Sequence, residues 1–514
     1  MLMMEYSNGT KQLLFFILEE WKLLFLLTVI FALYFYLTRN FQYFEKKGIK
    51  YIPPTIIFGN LGPRLMAKKS FHDFHLDTYN YFKGNRFGGF FEGNRPVLYI
   101  LDPELIKIIT IRDFEYFVDR NSLKTKDPMY LQKSLLNLKG SEWKGVRGTI
   151  TPSFSSIRLK AMLPIIELCS QQMVEFLKKF DNQEVEMKEK MGHFTLEVIG
   201  ACAFGIKCDA INENAHFLNI AKKFNYMSTT KRVIFLLLIM LAPKMLQFVN
   251  VSFVNLESTD ELVKVLKKAK AERQSSNSRK SDFLQLLIDA AEVERKESNG
   301  SKTYLDDDTI DAQSLLFILA GYETSSTLLS FAIYTLATKP DIQTKLRNHI
   351  EETCSGKDVS YELLSQLSYL EGFLLETLRM YPPLGLVDRK CTKKYIVPGT
   401  SVQLDVGDTV AIPIYGIHMD PDYYPDPREF RPERFMGEEK KNRPSHLFLA
   451  FGAGPRNCIG LRFAMYSAKL AIVSLLKNFK FSVCPKTEIP IKFHKRSMFL
   501  NTESGLWVRI EKIQ

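Results

Sequence analysis

Residues 451–460 read Phe451-Gly452-Ala453-Gly454-Pro455-Arg456-Asn457-Cys458-Ile459-Gly460, and apolar residues at helical spacing follow from Leu461 to Phe479. Glycines and a proline thus surround a single cysteine at the mouth of a helix. Glycine lets a backbone approach a flat ligand closely, and proline stiffens the loop that does so. A thiolate at a helix N-terminus is favoured by the helix dipole and by free N–H groups. Four-coordinate zinc or an iron–sulfur cluster would want further cysteines nearby, whereas one isolated thiolate suits an axial iron ligand. Neither a GxGxxG nor a GxxxxGK[ST] register competes with this reading.

The rest of the chain fits a cofactor-bearing globular domain. Of 514 residues, 46% are hydrophobic and 25% charged, enough for a sizeable core and too apolar for wholesale disorder. The other six cysteines, at 169, 202, 208, 354, 391 and 484, form no CxxC pair. They read as reduced, core-filling thiols of a cytosol-facing domain. A net charge of +12, from 69 Lys+Arg against 57 Asp+Glu, suits an acidic protein or a lipid surface. Nucleic acid is excluded as a partner, since there is no finger spacing and no Arg-rich tract.

Three further constellations lie upstream. In Glu376-Thr377-Leu378-Arg379 the i,i+3 spacing puts acid and base on one helix face, and Arg434 follows in Phe430-Arg431-Pro432-Glu433-Arg434-Phe435. A buried carboxylate shared by two guanidiniums needs all its partners, so such a triad is structural. Ala320-Gly321-Tyr322-Glu323-Thr324-Ser325 lies inside the apolar pattern Leu315–Leu336. There a mid-helix threonine can bond back to a carbonyl and open a groove. In Trp143-Lys144-Gly145-Val146-Arg147 an aromatic and a cation stand at i,i+4 on one face.

The cysteine loop resembles the FxxGxRxCxG haem loop of the cytochrome P450 superfamily at every fixed position. The ExxR, PERF and AGxET segments match in the order that superfamily requires. AGYETSS, TPSFSS (Thr151–Ser156) and the loop are most similar to insect microsomal members and vertebrate drug-metabolising relatives. The resemblance implies a mainly α fold with a smaller β part, the haem b lying between a long central helix and the Cys458 loop. Cys458 is then the axial iron ligand, with Phe451 beside it. Trp143, Arg147, Arg389 and Arg456 are propionate partners, with Arg120 a further candidate. Glu376, Arg379 and Arg434 form the structural triad. Thr324 and Glu323 deliver protons during dioxygen reduction, and Gly321 gives dioxygen room. His193 and His418 read as satisfied structural residues.

The implied activity is a monooxygenase that inserts one atom of O2 into lipophilic substrates such as insecticides, plant toxins, endogenous lipids or hormones. Electrons come from NADPH through NADPH–cytochrome P450 reductase, with cytochrome b5 as an additional donor that the resemblance allows. No flavin or dinucleotide fingerprint lies in the chain itself. Lys133, Lys139 and Lys144 are candidates for a basic docking face, and the substrate pocket is expected around 121–136, 317–324, 384–388 and 498–502. The alternatives are a haem-thiolate isomerase or dehydratase acting on peroxides, and a non-catalytic haem or lipophile binder. The Glu323-Thr324 pair argues against the isomerase.

An N-terminal run, LLFLLTVIFALYFYL (Leu23–Leu37), carries no charge. Trp21 and Thr38 extend it towards the roughly 20 residues of a spanning helix. Arg39, Lys46, Lys47 and Lys50 follow it, which places the C-terminal bulk in the cytosol, and no small-residue cleavage site follows. The expected organisation is a lumenal segment 1–21, an anchor 22–38, a basic, proline-containing linker 39–58 and a catalytic domain 59–514 on the cytoplasmic side of the endoplasmic reticulum. Val233–Ala242 is too short to span; it is either a buried core helix or an interfacial element.

Overall fold

The computed structural model describes residues 2–513 except 123–124, 212–217, 221–222, 224–228, 253, 276–281, 298–302, 355 and 357–358. Part of the expected pocket segment 121–136 therefore lies outside the described residues.

Helix α1 (Leu2–Thr38) runs without a break across the expected boundary between 1–21 and 22–38. Its portion Glu20–Thr38 is 19 residues long, apolar and almost wholly exposed, as a lipid-facing helix would be. The hydroxyl of Thr28, mid-span, donates to the Leu24 carbonyl at 2.8 Å, so this polar group is satisfied within its own helix. Beyond Thr38 the chain does not behave as a free linker. Phe44 and Ile49 are buried, Tyr51 bridges to Gly89, and a Cβ on Gly89 would lie 2.4 Å from the Phe44 ring. The stretch 39–58 thus packs on the catalytic body, because its aromatic residues find an apolar sheet face there.

That sheet contains β1 (Phe87–Glu92), β2 (Arg95–Ile100), β4 (Val387–Lys390) and β5 (Thr409–Ile412), in the order β1-β2-β5-β4. Only β2 and β5 run parallel, with Val97 opposite Thr409. A second sheet joins β3 (Glu184–Glu186), β6 (Phe479–Ser482) and β7 (Trp507–Lys512), with β7 central.

A short antiparallel pair joins Tyr395–Ile396 to Gln403–Leu404, and the other named elements are helical. Five helices position the site: α2 (Gly140–Ile150), α4 (Met187–Phe204), α6 (Asp307–Thr338), α7 (Ser368–Met380) and α8 (Leu461–Asn478); α3 (Ser156–Leu177) packs beside α4 and α8, and α5 (Thr229–Leu241) lies apart from them. Helix α6 starts where Asp306 accepts from the Thr309 N–H at 2.8 Å, with Asp307 and Asp308 in the first turn complementing the dipole. It is long and apolar enough to cross a bilayer, but more than half of that window is buried, which marks it as a core helix. Helix α4 is buried on nearly all faces and ends at Gly205 with φ 57°, a left-handed cap.

Helix α5 covers most of the apolar run Val233–Ala242. Phe235 packs locally with Leu246 and Val251 and Met240 is buried, while Val233, Ile234, Leu237, Met245 and Phe248 are exposed. A fully buried core helix is therefore ruled out here. A Cβ on Gly93, in the β1–β2 turn, would lie 3.4 Å from the Met240 carbonyl and 3.6 Å from that of Ile57. Asn94 in the same turn donates to the Tyr36 carbonyl, and Asn40 donates to the Asn94 carbonyl, at 3.1 and 3.0 Å. The exposed apolar side of α5 and the exposed pair Ile56 and Ile57 thus adjoin the foot of the anchor.

Candidate functional site

The triad is assembled. Arg379 donates to both oxygens of Glu376, at 2.7 and 2.9 Å, and Arg434 Nε donates to Glu376 Oε1 at 3.3 Å; all three side chains are fully buried. One carboxylate between two guanidiniums leaves a net positive charge in the interior. The carbonyls of His418, Glu429 and Asp426, which accept from these arginines at 2.7, 3.4 and 2.8 Å, offset it. Close approach is permitted by Gly372 on α7, where a Cβ would lie 2.6 Å from the Pro432 carbonyl.

His418 carries this geometry to the cysteine loop. Its Nδ1 lies 3.1 Å from the Arg379 carbonyl, and its Nε2 accepts from the Leu449 N–H at 2.9 Å, which fixes the proton on Nδ1. Burial, with Arg379 beside it, pushes its pKa down to about 3, so the ring is neutral. From Leu449 the loop turns on itself: Gly452 N–H donates to the Leu449 carbonyl and Cys458 N–H to the Phe451 carbonyl, both at 2.8 Å. Gly452 and Gly454 each hold φ 71°, and a Cβ on Gly454 would lie 1.7 Å from the Thr110 carbonyl. Only glycine fits there.

Cys458 alone among the cysteines is exposed. Yet so much protein surrounds it that burial raises its thiol pKa, against the pull of the Gly460 N–H, Arg147 and Arg120. A sulfur that is both accessible and enclosed faces an internal cleft. The same holds for the middle of α6. Residues 309–315 and 325–337 are buried, whereas Ala320 is exposed and Gly321–Thr324 are partly so. Leu316, Leu319, Tyr322, Ile459 and Phe463 border one apolar core with buried Trp143. In α6, Thr324 Oγ1 donates to the Ala320 carbonyl at 2.7 Å, leaving its lone pairs free to accept. Gly321 does not serve the cleft as expected. A Cβ there would lie 2.3 Å from Ile199 Cδ1, so this glycine lets α4 and α6 pack closely.

Four guanidiniums converge near the sulfur. Arg147 donates to Asn457 Oδ1 at 3.0 Å, and the bridge between Asp119 and Lys390 brings Arg120 beside Arg389. Arg456 donates to the carbonyls of Val118, Leu135 and Leu138 and lies 4.2 Å over the Trp143 ring. Burial and then Arg120 push the Arg389 and Arg456 pKa values down to about 9, a sign of crowded positive charge. The carboxylates acting on this group are Asp119 and Asp388. Four cations against two anions leave two positive charges.

Against this geometry the sequence comparisons are decisive. The Cytochrome P450 family profile matches residues 50–509. The chain is 36% identical to Cytochrome P450 9e2 of Blattella germanica, over 94% of this chain and 96% of that one. It is 34% identical to Cytochrome P450 6a8 of Drosophila melanogaster, over 93% and 96%. With Cytochrome P450 3A14 of Cavia porcellus it shares 36% identity over 94% and 95%.

The chain belongs to the cytochrome P450 family. It is accordingly a P450 monooxygenase, with a haem cofactor, use of O2, an external redox partner and a lipophilic substrate.

The residues of this P450 fit haem on their own terms. The buried Nε atoms of Arg120 and Arg389 have no hydrogen-bond partner. Orphaned donors at such depth cost about 1–3 kcal/mol each unless an acceptor arrives. The two propionates of a haem would match both the surplus charge and the open donors, and the enclosed thiol is a group that would bind its iron. Arg456 adds charge here, while its N–H groups hold Val118, Leu135 and Leu138. Lys133 is not free for docking as expected, because Asp306 and Asp308 at the start of α6 neutralise it. Lys144 is exposed on α2. Phe317 packs against Phe283 and Phe154, with ring centroids 3.9 and 5.4 Å away.

Sequence reasoning missed the part played by two residues. His418 reads from the sequence as a satisfied structural residue, which it is, but its link between Arg379 and Leu449 leaves no mark there. Lys188 gave no signal at all: it is one lysine among several, 135 positions from Glu323, with which it pairs at 3.0 Å.

Proposed function

We propose that this P450 inserts one oxygen atom of O2 into lipophilic xenobiotics or endogenous lipids, with Cys458 as the residue that would hold the haem iron, drawing electrons from NADPH–cytochrome P450 reductase at the cytoplasmic face of the endoplasmic reticulum. Cytochrome b5 is a second donor compatible with the same face. The observation that carries the reading is the enclosed Cys458 thiol beside four arginines with two charges in excess.

Bound haem supplies dioxygen activation, with a thiolate ligand favouring O–O cleavage. The chain's own residues do the rest. Loss of the Cys458 proton couples ligand binding to deprotonation, since burial otherwise keeps the thiol neutral. Arg120, Arg147 and Arg389, with the buried Trp143 beside them, would hold the haem propionates; Phe451 closes the loop through its carbonyl. Thr324 accepts a proton donor in the cleft, and Glu323, the neighbouring carboxylate, renews the proton it passes on. The apolar lining from α6 excludes water and favours apolar substrates. Lys139 and Lys144, next to the arginine group on α2, support an acidic electron donor as partner.

The Glu323–Thr324 pair favours oxygenation over peroxide rearrangement, which has no need of a proton relay. Cys458→Ser protein should lose the reduced carbon monoxide band near its native position and all oxygenation, with label from ¹⁸O₂ absent from every product. A native band with full turnover in that variant would overturn the proposal.

A further inference from the structure

Lys188 opens helix α4 and reaches across to α6. Its ammonium lies 3.0 Å from Glu323 Oε1, 2.6 Å from Thr327 Oγ1, 3.1 Å from Ser326 Oγ and 3.3 Å from the Glu323 carbonyl. An ammonium has only three hydrogens to direct at these four acceptors, so the head group is saturated. Both side chains of the pair are largely buried, with 16% and 15% exposed, so water screens the attraction only partly. The backbone beneath Lys188 is also fixed. Glu186 caps α4 by accepting from the N–H groups of Lys188 and Glu189, at 3.2 and 2.7 Å, and it accepts from Leu506 N–H at 2.8 Å.

The pair sits at the crossing where α4 and α6 approach most closely, through Gly192 facing Tyr322 and Gly321 facing Ile199. Glu323 and Thr327 share one face of α6 and both touch Lys188. Thr324 shares a different face with Ala320, the exposed residue of the cleft. Glu323 is therefore held towards α4, a quarter turn from the face on which Thr324 lies. For its carboxylate to serve Thr324 it must leave Lys188.

We propose that Lys188 is a positioning residue for proton delivery: it holds Glu323 against α4, and release of this ion pair meters the transfer of protons from Glu323 towards Thr324. This rests on the reading of Glu323 and Thr324 as the relay. Each turnover uses two electrons from NADPH and two protons from solvent to convert O2 into one inserted oxygen atom and one water. Protons that arrive out of order instead release the same two electrons as hydrogen peroxide.

The test uses full-length, haem-loaded protein with the reductase and NADPH, comparing Lys188→Met, Lys188→Arg, Glu323→Gln and the Lys188→Met/Glu323→Gln double variant. The reduced carbon monoxide spectrum checks that each is assembled. In Lys188→Met the hydrogen peroxide share of the NADPH consumed should rise by about threefold or more, and Lys188→Arg should restore most of the coupling. The resting Soret spin-state balance, read without turnover, should shift in Lys188→Met and return in Lys188→Arg. In the Glu323→Gln background, removal of Lys188 should change neither quantity, because its effect passes through that carboxylate. An equal effect of Lys188→Met in both backgrounds, or no effect in either, overturns the proposal. A silent Glu323→Gln overturns the relay itself, which separates the two failures.

Discussion

Gly454 shows how much one hydrogen atom in place of a methyl decides in this chain. Its φ of 71° alone disfavours a side chain, and a Cβ would lie 1.7 Å from a backbone oxygen that has nowhere to go. Gly452 shares the φ of 71° but has no neighbour nearer than 3.7 Å to such a Cβ. Gly452→Ala should therefore cost about 1–2 kcal/mol in denaturant unfolding, the strain of a left-handed alanine. Gly454→Ala should cost more than about 3 kcal/mol and abolish haem incorporation. Equal costs for the two would show that the Thr110 contact is not rigid. At this scale the cysteine loop was fully legible, since each position has a local reason. Gly321 was legible as special but not for its purpose, because its partner Ile199 lies on another helix. The pairing of Lys133 with Asp306 and the commitment of Arg456 to three carbonyls were likewise invisible, since both join residues more than 170 positions apart.

The element that organises the proximal side is α7, whose Glu376 and Arg379 reach forward to the Arg434 turn and, through His418, to Leu449. Glu376→Gln removes the only carboxylate among these groups and leaves two buried guanidiniums facing carbonyls. Breaking such a pair costs about 3–5 kcal/mol, so this variant should be recovered mostly without haem. His418→Phe keeps the ring's bulk against Phe448, whose centroid is 5.5 Å away, but frees the Leu449 N–H. It should lose about 1–3 kcal/mol yet still bind haem weakly, as read from the reduced carbon monoxide band per unit protein. A Glu376→Gln protein with a full band would refute the structural role. The helices themselves were readable from apolar spacing and capping acids such as Asp306. The sheet was not: β2 pairs with β5 across roughly three hundred residues, and no strand states its partner in its own sequence.

Across the whole molecule, apolar surface gathers on one side, where α1 leaves the body and where α5, Ile56 and Ile57 stand exposed. The proposed membrane location would then rest on two attachments of unequal strength. Protein lacking residues 1–38 should still float with phospholipid vesicles, though more weakly. Adding Leu237→Ser and Phe248→Ser to the truncated form should leave it in the soluble fraction. Soluble behaviour of the truncation alone would remove α5 from the interface. The N-terminal apolar helix was legible from composition, but the folding of 39–58 onto the sheet was not, because basic residues and two prolines masked its buried aromatics.

The pair of hydrogen bonds between Asn40, Asn94 and Tyr36 clasps the last turn of the anchor to the β1–β2 turn. A domain clasped in this way cannot swing on its tether like a buoy. With α1 seated in a bilayer, as proposed, it would ride at a set height and tilt, and an electron donor confined to the same bilayer would meet α2 by lateral drift in two dimensions, already facing the right way.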